Sequence, residues 1–316
     1  MNNMGKIKKA FYYLFNQPSI LTEELFIRYA KNKNYSDEEY VKKLFFWRKW
    51  HRLDLNNPKT FSEKCQWLKL YDHKPIYHQM VDKFDAKQLV ASLIGEEYVI
   101  PTYGVWENVE DIDWDSLPEK FVIKPTHSGG ADCILICKEK SGFDFEEAKR
   151  RLQKTMHSNG IWKNLREWTY KDIKPRIIAE LLLEDPVQSY PQDYKFWCFN
   201  GEVKCFYITT GRSEGGHTKD NFFDVNGKYM ADLEHVGYKS DPNGLPPIPS
   251  TLPKMIELAK ILSKGVPHLR VDLYEVNGKI YFGELTFAEE SGFAEFIPKR
   301  WNYAFGDWIK LPEKTI

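Results

Sequence analysis

The stretch 270–286, RVDLYEVNGKIYFGELT, limits the possible folds more than any other part of this sequence. Its β-branched and aromatic residues predict two strands, and the Asn-Gly pair at 277–278 predicts the tight turn between them. Asp272 and Glu284 lie on the two facing strands, and such carboxylates repel each other unless a cation lies between them. Hard oxygen ligands of this kind suit Mg²⁺ bound to nucleotide phosphates. The alternative is an ordinary hairpin with a solvated polar face.

The register of the hairpin decides whether the two carboxylates can meet. A two-residue loop over the Asn-Gly pair would put them on opposite faces, because a one-residue slip turns every side chain over. A three-residue loop, with Gly278 left-handed in a bulge, places Asp272 opposite Phe282 and puts four polar residues on one face. These four residues are Arg270, Asp272, Glu284 and Thr286. We predict the three-residue loop, because a nucleotide-metal site requires the shared face.

Length and charge limit the function classes. A chain of 316 residues is long enough for two or three domains. Lysine plus arginine and aspartate plus glutamate each number 45, so the net charge is zero. Without a surplus of positive charge, a general nucleic-acid binder is excluded. The aromatic content of 15% suits sugar-stacking pockets as well as cores.

The cysteines and the N-terminus indicate the compartment. The five cysteines form no CxxC pair, and those at 133, 137, 198 and 205 lie in apolar runs where reduced, buried thiols are common. We therefore expect a reducing cytoplasm. The basic and aromatic run 6–15 is too short for a signal peptide, and no run approaches the ~18 apolar residues of a transmembrane segment. Contact of this run with the inner membrane stays open beside a packed N-terminal helix.

Several helices are predicted before residue 100. Apolar residues recur at helical spacing through 1–55, and Thr60 with Glu63 forms a T-x-x-E capping box that opens a further helix. The motif DKFDAK then starts a helix that ends near residue 95. Lys83 and Lys87 lie one turn apart on it. They are either an exposed lysine pair or part of an anion site.

A lysine-bearing strand followed by a small loop suggests a phosphate clamp. Residues 121–125, FVIKP, predict a strand with one lysine, and THSGGA at 126–131 leads into a second apolar strand. Backbone N–H groups of such a loop can approach phosphate oxygens while Lys124 supplies charge. A hairpin with a flexible tip is the alternative. We expect Lys124 to have no structural partner, so that its removal leaves the fold intact.

Polar residues in apolar strands mark further candidates. Glu180 lies within IIAELLL at 177–183 and needs a partner, either a hydrogen bond in the core or a ligand group. Asp193 and Lys195 share one face of a later strand. The polar loop 211–217, GRSEGGH, is typical of segments that bind substrate.

In this order, the pieces resemble the ATP-grasp superfamily and, within it, the TupA-like ATP-grasp group. The resemblance runs from about residue 57 to residue 298 and is carried by NPKTFSEKCQWLKLYD, DKFDAK, KPTHSGG, DYKFWCFNGEVK and GELTF…SGF. It implies an α+β, ATP-grasp fold that holds the nucleotide between two α+β subdomains, with a helical N-terminal extension. The implied divisions are 1–117 for the helical region and N-terminal domain, 118–185 for the central lid subdomain, and 186–316 for the C-terminal subdomain with the metal site.

The resemblance implies a site for ATP and for Mg²⁺, with Mn²⁺ as an alternative. The implied ATP-binding residues are Lys83 or Lys87, Lys124, Ser128, Gly129, Gly130, Glu180 and, through its backbone, Leu182. The implied metal ligands are Asp272, Glu284 and Thr286. The ATP-grasp pattern has asparagine where Thr286 stands, and a hydroxyl is a poorer ligand. The number of metal ions therefore stays open.

The resemblance also implies the chemistry and the substrates. The family reaction is ligation of a carboxylate to an amine through an acylphosphate, driven by ATP, and the group is associated with bacterial surface polysaccharide and teichuronopeptide synthesis. The implied substrates are a uronic acid or glycan of the capsule or cell surface, and an amine. Candidate catalytic residues are Arg270, Arg212 and Lys195, and candidate substrate-binding residues are Arg212, His217 and Ser291. A glycosyltransferase, an ATP-dependent sugar kinase or an inactive ATP-binding module are the alternatives.

Overall fold

The computed structural model describes residues 18–129, 134–185, 190–211 and 218–315. The helices of these residues are α1 (Pro18–Ala30), α2 (Asp37–Lys49), α3 (Phe61–Tyr71), α4 (Ile76–Val81), α5 (Asp85–Ile94), α6 (Phe145–Met156), α7 (Gly160–Leu165), α8 (Leu252–Leu262) and α9 (Arg300–Trp308). The strands are β1 (Thr102–Trp106), β2 (Phe121–Pro125), β3 (Leu135–Cys137), β4 (Ile177–Leu181), β5 (Gln192–Phe199), β6 (Glu202–Thr210), β7 (Lys219–Asp224), β8 (Glu234–His235), β9 (His268–Val276), β10 (Lys279–Thr286) and β11 (Phe296–Ile297).

The N-terminal helices pack together, and α3 also packs on the larger sheet through Phe61 and Cys65. Thr60 opens α3, because its hydroxyl accepts a hydrogen bond from the Glu63 N–H at 3.3 Å and the Glu63 carboxylate accepts one from the Thr60 N–H at 2.9 Å. The predicted capping box is thus confirmed. Helices α1, α2 and α3 enclose an apolar cluster that includes Phe26, Leu44 and Phe293. None of the helices that the structure describes is both long and apolar enough to cross a membrane.

Two antiparallel sheets make up the rest of the fold. The smaller has the strand order β1-β4-β2-β3, and the larger has the order β10-β9-β5-β6-β7. Strands β8 and β11 form a separate short pair. The α+β prediction is confirmed. Strand β1 pairs with β4, although it precedes the predicted boundary at residue 118; the division into three parts itself stays a prediction.

The two faces of the larger sheet carry different residues: one face is apolar, and the other combines charged residues with a second apolar cluster that includes Trp197 and Phe222. One face packs on α8 and contributes Phe196, Phe206 and Leu273 to the largest apolar cluster. On the other face, Lys195 of β5 pairs with both Asp272 of β9 and Tyr207 of β6, so these side chains point to the same side. Charged residues thus gather on the side of the sheet that faces away from α8.

The hairpin 270–286 differs from its predicted register. Asn277 and Gly278 both have positive φ, 53° and 78°, which is the type I′ conformation of a two-residue loop. The predicted three-residue loop is therefore wrong. The simple Asn-Gly turn forms because both of its residues tolerate the left-handed conformation.

The shared polar face nevertheless exists, because the bulge lies elsewhere. The pairing shifts between Phe282 and Glu284, so Glu284 pairs with Asp272 and Thr286 with Arg270. The inserted residue is Gly283, where a Cβ would come within 3.0 Å of the Asp272 carbonyl oxygen. The close approach of the two strands thus favours glycine at the bulge.

The described cysteines agree with the expectation of reduced thiols. Cys65, Cys137, Cys198 and Cys205 are buried and free. Burial raises the pKa of each of them, which keeps the thiols protonated and unreactive. Cys133 lies outside the described residues.

Candidate active site

Two lysines meet one buried glutamate on the smaller sheet. Glu180 on β4 and Lys124 on β2 lie on one face, because Val122, two residues before Lys124, pairs with Glu180. The Lys124 ammonium contacts Glu180 Oε1, and the Lys87 ammonium of α5 lies 2.7 Å from Glu180 Oε2. Lys87 also donates to the Ile100 carbonyl at 2.8 Å. We call Lys87, Lys124 and Glu180 the lysine cluster.

The lysine cluster keeps Glu180 ionised. Burial alone would raise the pKa of this carboxyl, but Lys124 and Lys87 outweigh burial and lower the pKa to about 2. The expectation that Glu180 needs a partner is confirmed. The expectation that Lys124 has no structural partner is wrong, because a carboxylate in an apolar strand binds the nearest cation across the sheet.

The loop after β2 has three consecutive residues that each carry a buried polar atom without a hydrogen-bond partner among the described residues, although the other ring nitrogen of His127, Nε2, lies 3.2 Å from the Ser158 carbonyl. Thr126 Oγ1, His127 Nδ1 and Ser128 Oγ are buried and make no hydrogen bond to any described residue. Buried polar atoms are normally satisfied, so such a group indicates a place for a polar ligand. Gly129 follows within the described chain, whereas Gly130 lies outside it. Hydroxyl groups and loop N–H groups suit phosphate oxygens.

Lys83 lies between this loop and the larger sheet. Its ammonium donates to the Ser128 carbonyl, and its backbone N–H donates to the Thr126 carbonyl at 3.0 Å. Burial lowers the pKa of Lys83, Glu284 raises it and Lys124 lowers it further. Because both Glu284 and Lys124 act on this ammonium, charged residues of both sheets lie near Lys83.

Arg270 lies at the centre of the charged face of the larger sheet. Its guanidinium binds Asp272 bidentately, through Nε to Oδ1 at 2.6 Å and Nη2 to Oδ2 at 2.7 Å. Nη2 also donates to Glu284 Oε1 at 2.8 Å, and Nη1 donates to Glu289 Oε2. Arg270 therefore holds three carboxylates at once.

Lys195 extends this network along β5. Its ammonium lies 2.9 Å from Asp193 Oδ2 and contacts Asp272 Oδ2. Burial would raise the pKa of Asp272, but Arg270 and Lys195 outweigh burial and lower it. Asp272 therefore stays ionised at neutral pH. The carboxylate cluster, as we name it, consists of Asp193, Lys195, Arg270, Asp272, Glu284 and Glu289.

The predicted metal ligands lie side by side. Arg270 Nη2 is 2.7 Å from Asp272 and 2.8 Å from Glu284, so both carboxylates converge on one cationic atom. The Thr286 hydroxyl lies 3.4 Å from Glu284 Oε1. No group of three or more His, Cys, Asp or Glu side chains within the described ranges forms a metal cluster. The oxygens fit Mg²⁺ if phosphate oxygens and water complete the coordination.

The other predicted site residues divide into two groups. Leu182 directly follows β4, and the Ser291 hydroxyl donates to Glu167 at 2.5 Å while its carbonyl accepts from Lys69 at 2.8 Å. Ser291 therefore holds two helical segments together. Arg212 and His217 lie outside the described residues. The roles predicted for them stay predictions.

Glu289 is the residue that the sequence analysis missed. It lies in the turn Glu289–Gly292, where Glu290 and Ser291 both have positive φ, 48° and 58°. Left-handed conformations at residues other than glycine cost free energy and cluster at functional positions. The available signal was a second carboxylate pair, Glu289-Glu290, directly after the hairpin.

Comparison with models of protein families identifies the class of this protein. Residues 63–310 match the model of the family described as TupA-like ATPgrasp. The match covers most of the 316 residues. The protein belongs to the TupA-like ATP-grasp family. A comparison with curated proteins found no match.

Several solved structures resemble this chain at low sequence identity. One is the ADP complex of purK, N5-carboxyaminoimidazole ribonucleotide synthetase, with 16% identity, a TM-score of 0.39, and coverage of 67% of this chain and 45% of that one. D-alanine–D-alanine ligase from Bacillus anthracis has 17% identity, a TM-score of 0.41, and coverage of 73% and 66%. D-cycloserine synthetase DcsG has 16% identity, a TM-score of 0.40, and coverage of 75% and 72%.

Proposed function

We propose that this protein is an ATP-dependent ligase that joins a carboxylate to an amine through an acylphosphate. The observation that carries the proposal is the opposite charge of the two clusters, both of which act on Lys83. The lysine cluster has two ammonium groups for one carboxylate, and the carboxylate cluster has four carboxylates for two cations. The first surplus suits the phosphates of ATP, and the second suits a divalent cation bound to them.

ATP would lie between the two sheets. Lys124 and Lys83 are proposed to contact its phosphates, with Ser128, Gly129 and Gly130 closing over them. Lys83 is a better candidate than Lys87, because the Lys87 ammonium is ion-paired with Glu180, whereas the Lys83 ammonium contacts the uncharged Ser128 carbonyl. The unpartnered hydroxyls of Thr126 and Ser128 support a polar ligand at this loop. Glu180 and the backbone near Leu182 are proposed to meet the adenine.

Asp272 and Glu284 are the proposed ligands of Mg²⁺, with Mn²⁺ as an alternative ion. Thr286 adds a hydroxyl beside Glu284. When bound, the ion neutralises the phosphates and makes the γ-phosphorus accessible to an anionic nucleophile. Arg270 holds the same two carboxylates in place and is proposed to face the transferred phosphate.

The reaction would proceed in two displacements. A carboxylate oxygen of the substrate attacks the γ-phosphorus, the bond to the bridging oxygen breaks, and ADP leaves. An amine nitrogen then attacks the acyl carbon and loses a proton, the phosphate leaves, and an amide forms. Repulsion between carboxylate and triphosphate opposes the first step, and Lys124, Lys195 and Arg270 would reduce it. Arg212 is proposed to bind the carboxylate bidentately and His217 to guide the amine.

The proposed carboxylate is a uronic acid of a bacterial capsule or cell-surface glycan, and the proposed location is the cytoplasm. Three observations support this choice. The family resemblance is to a group associated with surface polysaccharides, aromatic residues make up 15% of the chain, and the described cysteines are free thiols. Ser291 is retained as a candidate for substrate binding.

The test is ADP release from Mg-ATP with a panel of uronic acids and amines. A ligase releases ADP in a manner that requires both substrates, and the product gains an amide bond visible by mass spectrometry. ADP release with a sugar alone would indicate a kinase, and UDP release from a nucleotide sugar would indicate a glycosyltransferase. Asp272→Asn should abolish turnover, whereas Glu202→Gln, at an exposed position of the same sheet, should leave it unchanged.

A further inference from the structure

The two N-terminal helices expose large apolar side chains at their outer side. Tyr29 and Trp50 are the most exposed, with 58% and 59% of their surface open to solvent. Single exposed apolar residues are normal, but several together mark an interaction surface. The aromatic patch consists of Leu25, Tyr29, Phe46, Trp47 and Trp50.

Thr22 connects the α1 and α2 parts of the aromatic patch. Its hydroxyl accepts a hydrogen bond from Trp50 Nε1 at 3.3 Å and donates one to the Trp47 carbonyl. Leu25 and Tyr29 follow Thr22 by three and seven residues and therefore lie on the same face of α1. The patch is thus one surface formed by two helices.

Trp50 is held in a strained conformation. It caps α2 with φ 59° and ψ 23°, and its N–H donates to the Phe46 carbonyl at 2.8 Å. Glycine or asparagine usually occupies this left-handed cap position, because a bulky side chain is strained there. Strain of this kind persists mainly at functional positions. This conformation fixes the exposed indole at the C-terminal end of α2, beside Thr22 of α1.

Positive charge is concentrated around the patch. Residues 1–52 contain eleven Lys and Arg against five Asp and Glu, whereas residues 53–316 contain thirty-four against forty. The zero net charge of the chain therefore hides a positive end and a negative remainder. The exposed cations of the described part of this end are Arg28, Lys31, Lys33, Lys42, Lys43 and Arg52.

The carboxylates near the patch are mostly engaged. Glu23 pairs with Arg48 at 3.0 Å, and Asp37 pairs with Arg166 at 2.9 Å. Glu39 accepts the Ser36 N–H at 3.0 Å in a capping box. Arg28 and Lys42 pair in the same way with Glu24 and Glu38, so the positive charge of this surface comes from Lys31, Lys33, Lys43 and Arg52. The Lys33 ammonium lies 5.2 Å from the centre of the Tyr29 ring, which places a cation beside an exposed aromatic side chain.

We propose that the aromatic patch docks the protein on an anionic lipid surface. Tryptophan and tyrosine prefer the boundary between headgroups and acyl chains, and nearby lysine and arginine bind anionic headgroups. Residues 6–15, KIKKAFYYLF, continue the same combination in the sequence, although they lie outside the described residues. The proposal is independent of the ligase reaction, because none of the proposed catalytic residues belongs to the patch.

The test uses the full chain and sedimentation with lipid vesicles. Vesicles of phosphatidylcholine alone are compared with vesicles that contain about a quarter of the anionic lipid phosphatidylglycerol. We expect the anionic vesicles to bind at least about tenfold more strongly, and binding to fall at high salt. Equal binding to both vesicles, or no binding to either, would overturn the proposal.

Two sets of variants separate docking from folding. Trp50→Asn relieves the strained cap and should keep the melting temperature while it weakens vesicle binding severalfold. Lys31→Glu with Lys33→Glu should weaken binding by about tenfold or more. The matched controls, Tyr303→Ser and Lys299→Glu with Lys310→Glu, change exposed residues at the other end of the chain and should have no effect.

The variants also distinguish the competing partners. A dimer that Trp50→Asn dissociates in the absence of lipid would make the patch a contact between copies and would contradict the proposal. Loss of vesicle binding in the control variants to the same degree would contradict it as well. If the variant with Lys31→Glu and Lys33→Glu bound vesicles as strongly as the wild type, the cations would play no part, and the proposal would be contradicted.

Discussion

The lysine cluster and the carboxylate cluster differ in which charge is in the minority. In the lysine cluster, Glu180 is the single carboxylate between two ammonium groups. In the carboxylate cluster, Arg270 and Lys195 share four carboxylates. Each minority residue holds its cluster together, and the charge in excess suits a ligand of opposite sign. The difference indicates where the phosphates and the metal ion would bind.

The largest effect is expected when the lysine cluster loses its only carboxylate. Glu180→Gln leaves two ammonium groups in a buried site and should lower the free energy of unfolding by about 3–5 kcal/mol. Asp272→Asn should cost less, about 1–3 kcal/mol, because Arg270 keeps Glu284 and Glu289. Urea denaturation measures both values, with the exposed Glu202→Gln as the control. Equal losses of unfolding free energy in Glu180→Gln and Asp272→Asn would contradict the difference that we expect between the two clusters.

The next effect is a loss of stability in acid. The pKa of Glu180 lies at about 2 in the folded protein and near 4.5 when unfolded, so its contribution is complete above pH 4.5. Protonation removes it as the pH falls towards 2, with a total of about 3 kcal/mol. The free energy of unfolding of the wild type, measured by denaturation at several pH values, should therefore fall steeply with pH in this window. That of Glu180→Gln should depend less on pH. If the free energies of unfolding of the two proteins changed with pH in parallel, Glu180 would not account for the loss of stability in acid.

The smallest effect concerns the geometry of the carboxylate cluster. Gly283→Ala places a methyl group 3.0 Å from the Asp272 carbonyl oxygen, so the two strands must separate slightly. We expect a loss of about 1 kcal/mol in stability. The free energy of Mg-ATP binding should decrease by more than the free energy of unfolding, because Asp272 and Glu284 move apart. Isothermal calorimetry tests this, and a variant with wild-type affinity would show that the bulge does not position the carboxylates.

The sequence predicted the shared face of the hairpin but not its register. Alternation places Asp272 and Glu284 by face, and any glycine in the hairpin can supply the bulge that aligns them. The structure uses Gly283, where the strands approach closely, and leaves the Asn-Gly turn in its simplest form. The Asn-Gly pair thus forms the turn that its residues favour, and the bulge at Gly283 brings the two carboxylates to one face.

Contacts between distant parts of the chain were not predictable. Lys124 and Glu180 are separated by 56 residues, so their pairing depends on the strand order of the smaller sheet. Glu289 reaches Arg270 only because the strained turn after β10 directs it there. The capping box at Thr60 was predictable, because both of its partners lie within one helical turn. The roles of Arg212 and His217 stay predictions.

The central claim is that one cleft binds ATP through the lysine cluster and Mg²⁺ through the carboxylate cluster. Thermal unfolding with ATP, in the presence of Mg²⁺ or of EDTA, tests it most directly. With Mg²⁺, ATP at 100 times its dissociation constant should stabilise the protein by about 2.7 kcal/mol. Lys124→Met and Asp272→Asn should each abolish this gain, whereas Lys120→Met, an exposed lysine near the start of β2, should retain it. Equal stabilisation in EDTA, or a full gain in both cluster variants, would contradict the account.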